Sequence, residues 1–169
     1  MKIKPLSKSN IKGAVKLLQR VFNPHPKDFD YPGKWFSASL DSKSKKSKEI
    51  YQSFNVSYLK YYVAIDEKFS KVIGTTGIYE FWKDKKEASW LAWFCVDPEY
   101  RGKGIGSKLL AYIIKKAKKR KKKFLRLYTS PNPAEEKAQI LYKNRGFKEF
   151  KREKVSGKDK FRIYMEKEL

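Results

Sequence analysis

The stretch RGKGIG, Arg101 to Gly106, constrains this chain more than any other. It separates an apolar strand pattern, "LAWFCV", from an amphipathic helix pattern, "SKLLAYIIKKAKK", and a second strand pattern, "KFLRLYTS", comes after the helix. Strand, helix and strand across residues 88–130 read as one right-handed parallel crossover. Glycine at the strand-to-helix turn leaves the first amides of the helix bare and approachable. Those amides carry partial positive charge from the aligned peptide dipoles, and Arg101 and Lys103 add full charges. The physical reading is an anion cradle at a helix start.

Two common cradles are excluded by spacing. The run is not G-x-x-x-x-G-K-[ST], so it is no P-loop for a nucleoside triphosphate. Counting from Gly102, the third glycine of a dinucleotide-binding G-x-G-x-x-G is replaced by Ser107.

The rest of the chain supplies a sheet. "MKIKPLS" alternates as a short strand, with Ser7 or Ser9 as the cap of a helix that places Ile11, Val15, Leu18 and Phe22 on one face. "NPHPKDFDYPGKWF" reads as an aromatic-rich loop, and "SASLDSKSKKSKEIYQSF" as the most polar and most mobile stretch. "YLKYYVAIDE", "KFSKVIGTTGIYEFW" and "EASWLAWFCVD" form an antiparallel meander. In the crossover helix Leu109, Leu110, Ile113, Ile114 and Ala117 recur at helical spacing. "AEEKAQILYKNRGF" is a helix closed by Gly146, and the last 22 residues make two strands around Ser156-Gly157. The fold class is α/β: a single domain over residues 1–169, with a mixed, mostly antiparallel sheet of six to seven strands, helices on both faces and one parallel βαβ crossover.

A formal net charge of +23 raises nucleic acid as a partner. The cations are mostly Lys spread along the chain, whereas base readers favour the planar fork of Arg, so nucleic acid is not expected as the main partner. No apolar run suits a bilayer span, and the first residues lack the pattern of a signal peptide. The single cysteine, Cys95, excludes an internal disulfide framework and a Cys-based zinc cluster. A reducing cytoplasm is the expected compartment, and no metal is expected.

"VDPEYRGKGIGSKLL" resembles motif A of the GCN5-related N-acetyltransferase (GNAT) family, with Arg101, Gly104 and Gly106 filling its Arg-or-Gln, two residues, Gly, one residue, Gly-or-Ala pattern. "ILYKNRGF", residues 140–147, resembles motif B, in the expected order and at the expected separation. The resemblance is close over residues 70–150. It implies a GNAT-like fold, with acetyl-CoA as co-substrate and its pyrophosphate on the backbone of Arg101, Gly102, Lys103, Gly104, Ile105, Gly106 and Ser107. It further implies that Phe94, Cys95 and Val96 pair with the pantetheine arm, one of their N–H groups polarising the thioester carbonyl. Tyr142 then protonates the departing thiolate. Many members carry Asn where this chain has Glu135, and Asn132 is the substitute expected to contact CoA.

Other assignments rest on weaker patterns. Cys95 reads as a buried spectator thiol rather than an acyl carrier. Glu80, at the end of "GTTGIYEF", is the expected general base, with a water relay through backbone carbonyls as the other route. His25, the single histidine, is a minor candidate. The acceptor is a primary amine on a small molecule, peptide or protein. Residues 23–54 are expected to line its side of the cleft through Asp28, Asp30, Tyr31, Trp35 and Phe36. Homodimers are common among proteins resembling this one. The alternative is a catalytically weak CoA-binding or nucleic-acid-binding module on the same fold.

Overall fold

The computed structural model describes residues 1–22, 32–156 and 161–169. Seven strands form one sheet in the order β1-β2-β3-β4-β5-β7-β6. They are β1 (Lys2–Pro5), β2 (Val56–Asp66), β3 (Lys71–Phe81), β4 (Ala88–Val96), β5 (Phe124–Thr129), β6 (Lys148–Lys154) and β7 (Phe161–Glu168). Every neighbouring pair is antiparallel except β4–β5, which is parallel. Among the described residues five α-helices flank the sheet: α1 (Ile11–Val21), α2 (Pro32–Leu40), α3 (Lys45–Ser53), α4 (Ile105–Lys119) and α5 (Glu136–Asn144).

Alternation along the strands builds two cores. Tyr61 packs with Leu18, Phe36, Val63, Tyr79 and Trp90 beneath α1 and α2, whereas its neighbour Tyr62 joins Ile78, Leu110, Ile113, Leu125 and Leu127 beneath α4. Successive side chains on a strand point to opposite faces, so one central strand serves both layers. β3 is buried along nearly its whole length, as covering on both faces requires.

α4 buries Ile105, Leu109, Leu110, Ile113 and Ala117, with Ile114 at the margin. The buried stripe of α1 is Ala14, Leu17 and Leu18, with Ile11, Val15 and Phe22 flanking it. Its N-cap is Asn10 rather than a serine; Asn10 Oδ1 accepts from the Ser7 amide at 2.9 Å.

The polar stretch expected to be mobile, together with residues 32–36 of the expected aromatic-rich loop, forms two helices instead. α2 starts with Pro32, whose fixed φ and missing N–H suit a first turn, and it buries Phe36 and Ala38. α3 is capped by Ser44, which accepts from the Ser47 amide at 3.3 Å. The Ser156-Gly157 turn ends at residues outside the described set, as do His25, Asp28, Asp30 and Tyr31.

Candidate active site at the strand splay

β4 and β5 pair only over Ala88–Phe124, Ser89–Leu125 and Trp90–Arg126. Both strands continue, β4 to Val96 and β5 to Thr129, but their ladder stops. β5 remains held from its other side by β7 as far as Thr129–Ile163. The two strands therefore part, and between Leu91–Val96 and Leu127–Thr129 the facing backbone edges do not pair with each other. Such edges seek an extended partner with amides of its own.

A bulge turns this edge. The β3–β4 register runs from Gly77–Ala92 to Thr75–Cys95, so β4 contains one residue more than β3 in that interval. Trp93 takes a φ of 37°, and its carbonyl accepts from Thr75 Oγ1 at 2.7 Å. Phe94 and Val96 then lean toward α4, while Cys95 points into the other core.

The turn into α4 is anchored by Asp97, which sequence reasoning did not single out. It is 1% exposed and accepts from Arg20, from Lys71 at 3.1 Å and from the Glu99 amide at 3.1 Å. Arg101 Nε reaches back to the Val96 carbonyl at 3.2 Å, and Lys103 Nζ lies 5.0 Å from the Tyr100 ring centre. Gly102 and Gly104 have φ of 78° and 73°, a backbone that side-chain-bearing residues rarely adopt. A Cβ at either would meet nothing within 4 Å, so the space above this turn is open. The first helical bond runs from the Lys108 amide to the Gly104 carbonyl at 3.1 Å, which leaves the amides of Ile105, Gly106 and Ser107 ahead of the ladder. Ile105 itself is a core side chain, so only its backbone belongs to the cradle. Gly106 lies against Leu141, Phe94 and Val96, bringing α5 close to the helix start.

Tyr142 completes the cluster from α5. Its ring lies 5.9 Å from Phe94 and 5.9 Å from Phe147. Its backbone is fixed by the helix end: the Gly146 amide donates to Lys143 and the Phe147 amide to the Tyr142 carbonyl, with Gly146 at φ 81°. This paired closure, with a buried ring following the glycine, is the Schellman arrangement. Burial first, and then the negative charge of Glu135, pushes the Tyr142 phenol well above the usual tyrosine range. It stays protonated at neutral pH, as a proton donor must.

Cys95 is buried, 3.3 Å from Thr75 Oγ1, and burial pushes its thiol up to about 11. That is the chemistry of an inert thiol. Asn132 sits at the β5–α5 junction, where its Oδ1 accepts from the Ala134 amide at 2.9 Å. Glu135 ties the end of β5 to the start of α5 by accepting from Thr129 Oγ1, the Ser130 amide and Ser130 Oγ.

Glu80 is not brought to this cluster, which corrects the expectation of a base there. β3 is antiparallel to β4, so its last residues lie beside the first residues of β4, at the end away from the glycine turn. Glu80 accepts from Ser89 Oγ at 3.0 Å and pairs with Arg120, the C-cap of α4, and with Lys122 at 3.0 Å. The 15 residues of α4 separate Arg120 from the cradle, about 22 Å at 1.5 Å per residue. Burial alone would raise the Glu80 carboxyl, but bonds from Arg120, Lys122 and Ser89 hold it below the usual range. Phe36 also leaves the expected acceptor lining, being fully buried, while Trp35 packs against Phe54 at 4.8 Å and Tyr79 at 6.4 Å.

A sheet that splays beside a glycine turn invites comparison with known folds. The family model described as Acetyltransferase (GNAT) domain matches residues 57–149. The chain belongs to the GNAT acetyltransferase family. Its structure is similar to an acetyltransferase of the GNAT family from Staphylococcus aureus Mu50, with a TM-score of 0.69 at 21% identity over 99% of this chain and 98% of that one. It is similar to ribosomal-protein-alanine N-acetyltransferase from Brucella melitensis, with a TM-score of 0.71 at 20% identity over 100% of both chains. It is also similar to a GNAT family acetyltransferase from Elizabethkingia anophelis with acetyl-CoA bound, with a TM-score of 0.61 at 21% identity over 99% and 97%. At these identities the likeness establishes the fold. No curated protein matches the chain in sequence. Among the described residues no helix is long and apolar enough to cross a membrane, and no group of His, Cys, Asp and Glu is disposed to hold a metal.

Proposed function

We propose that this chain is an acetyl-CoA-dependent N-acetyltransferase that acetylates a primary amine by direct transfer within a ternary complex. The observation that carries the reading is the end of the β4–β5 ladder at Trp90–Arg126, beyond which the unpaired edge of β4 runs through Leu91–Val96 toward an open glycine turn and a helix start. The residues suit the co-substrate: an amide-rich arm finds strand edges to pair with, and a diphosphate finds bare amides and Arg101 and Lys103.

Acetyl-CoA supplies the thioester whose acetyl group is moved. The free edge of Phe94–Val96 offers an N–H to the thioester carbonyl oxygen as negative charge develops there. The acceptor ammonium loses one proton to water relayed along backbone carbonyls that the splay exposes; the neutral nitrogen forms the new C–N bond as C–S breaks, and the surplus proton it then carries leaves by the same relay and restores the phenol of Tyr142. Tyr142 gives its proton to the sulfur, consistent with a phenol held neutral. Direct transfer is favoured over a Cys95 acyl-enzyme because that thiol is buried and weakly acidic. One cysteine kept as a free thiol also accords with a reducing cytoplasm.

Release of free thiol from acetyl-CoA, measured across a panel of small amines and peptide N-termini, tests the reading. Turnover that depends on the amine supports it. CoA binding in calorimetry with no turnover on any amine points instead to a binding module, and no heat with CoA removes both.

A further inference from the structure

The fold gathers charge that the sequence leaves dispersed. Lys83 and Lys86 lie on the β3–β4 turn, and Lys118, Lys119, Lys121 and Lys123 lie at the end of α4 and the turn after it; all six are exposed. The crossover brings these two turns together. Lys122 Nζ donates to the Lys85 carbonyl, and the amides of Lys123 and Phe124 donate to the Glu87 carbonyl at 2.9 and 3.1 Å. The acidic residues of the turn are engaged elsewhere: Asp84 and Glu87 both pair with Arg126.

Two features go beyond what a helix end requires. The first is Lys121, with a φ of 55°. It closes α4 by the same pair of bonds that Gly146 closes α5: its amide donates to the Lys118 carbonyl, and the next amide to the Ala117 carbonyl. Glycine is the unstrained choice at that position, and here the chain holds a cation in it. The second is Trp82. Its indole is 56% exposed, lies 3.7 Å beneath Lys85 Nζ, and forms one wall of a groove of about 450 Å³. The other walls include Lys48, Tyr51, Gln52, Asn55 and Ser57. An aromatic face beside amide and hydroxyl groups, with Lys48 in the groove wall, Lys85 over the indole and the turn lysines further along the same segment, matches a flat heteroaromatic base on a phosphate backbone. An acidic peptide would use the lysines and leave the indole idle.

We infer that the end of the molecule formed by the 82–87 and 118–123 turns docks a single-stranded nucleic acid, with a base stacked on Trp82 and phosphates on the lysines. The surface lies at the C-terminal end of α4, and the anion cradle lies at the N-terminal end. Docking therefore leaves acetyl-CoA binding free, and the inference stands or falls without reference to acetyl transfer.

The test is fluorescence anisotropy of a labelled dodecamer of uridylate, with the thymidylate dodecamer in parallel, across 50–200 mM KCl. The expected result is micromolar binding of at least one oligomer, unchanged by saturating CoA, with a log–log salt slope near −3 for about four phosphate contacts. Trp82→Ala should weaken binding about fivefold or more. The triple reversal Lys83→Glu, Lys86→Glu, Lys121→Glu should abolish it. Lys121→Gly guards against misfolding, because it should raise Tm while still lowering affinity. The inference is overturned if Trp82→Ala binds like the parent. It is equally overturned if poly-glutamate or phosphatidylserine vesicles bind as tightly as the oligomers, or if reversing Lys2, Lys4 and Lys8 weakens binding as much as reversing the three turn lysines.

Discussion

Thr75 Oγ1 donates a 2.7 Å hydrogen bond to the carbonyl of Trp93, the residue whose φ of 37° forms the β4 bulge. One buried hydroxyl thus braces the distortion that frees the strand edge. Thr75→Val keeps the shape and removes the donor. It should cost about 1–2 kcal/mol of stability and weaken acetyl-CoA binding severalfold, while Thr75→Ser should restore much of both. Thermal unfolding and calorimetry read the two effects separately.

Gly104 carries its own prediction. Its φ of 73° makes a side chain costly by about 1–2 kcal/mol, a β-branched one most of all. A Cβ there nonetheless meets no protein atom within 4 Å, so steric damage in the free protein is small. Gly104→Val should therefore lower Tm by only a few degrees while reducing CoA affinity at least tenfold. Equal CoA affinity in the variant would take the cradle away from this turn.

Tyr142→Phe separates proton donation from packing. The ring contacts with Phe94 and Phe147 survive, so stability and CoA affinity should stay within about twofold of the parent. The proton donor is lost, and kcat should fall by about a hundredfold. An unchanged kcat over the whole pH range would remove the phenol from the reaction.

Glu80→Gln distinguishes a structural carboxylate from a base. The change leaves Arg120 and Lys122 facing a neutral group in a largely buried pocket, which should cost about 2–3 kcal/mol. For the folded fraction, kcat should stay within twofold. The parent's pH dependence follows from the lowered Glu80 carboxyl: its contribution is present above the unfolded-state value and lost as pH falls through the folded one. Glu80→Gln should therefore lose less stability than the parent on acidification, measured by urea unfolding across pH 2–6.

The alkaline limb rests on tyrosines. Burial is the first cause of the raised phenols of Tyr61, Tyr79 and Tyr142, and it brings Tyr62 to about 12. Groups raised in the folded state stabilise it below their unfolded values and cease to do so as pH climbs through the folded ones. Stability should hold to about pH 9 and decline above pH 10. Phenolate absorbance of the buried rings should then appear together with loss of circular dichroism, and separate transitions would contradict that coupling.

The crossover was legible because periodicity and glycine placement are local signals. RGKGIG marks the turn, and the stripe from Leu109 to Ala117 marks the helix behind it. α2 and α3 were not, since α2 rests on little more than Phe36 and Ala38, and α3 buries only Ser47. Pro32 and Ser44 were the available signals, a first-turn proline and a capping serine. Asp97 was hidden because its partner Arg20 lies 77 residues away. Glu80 was misplaced for a reason the meander already contained: in an antiparallel pair, the end of one strand meets the beginning of the next. The bulge at Trp93 has no local signature at all, because a register shift belongs to two strands and not to one.

Three residue pairs are all that join β4 to β5. The sheet is thereby two leaves, β1–β4 and β5–β7–β6, bound along a short spine at one end and open at the other. Filling the gap with an extended molecule would close the book and tie the leaves together, so ligand-induced slowing of amide exchange should be greatest in Leu91–Val96 and Leu127–Thr129 and fade toward Ala88 and Phe124.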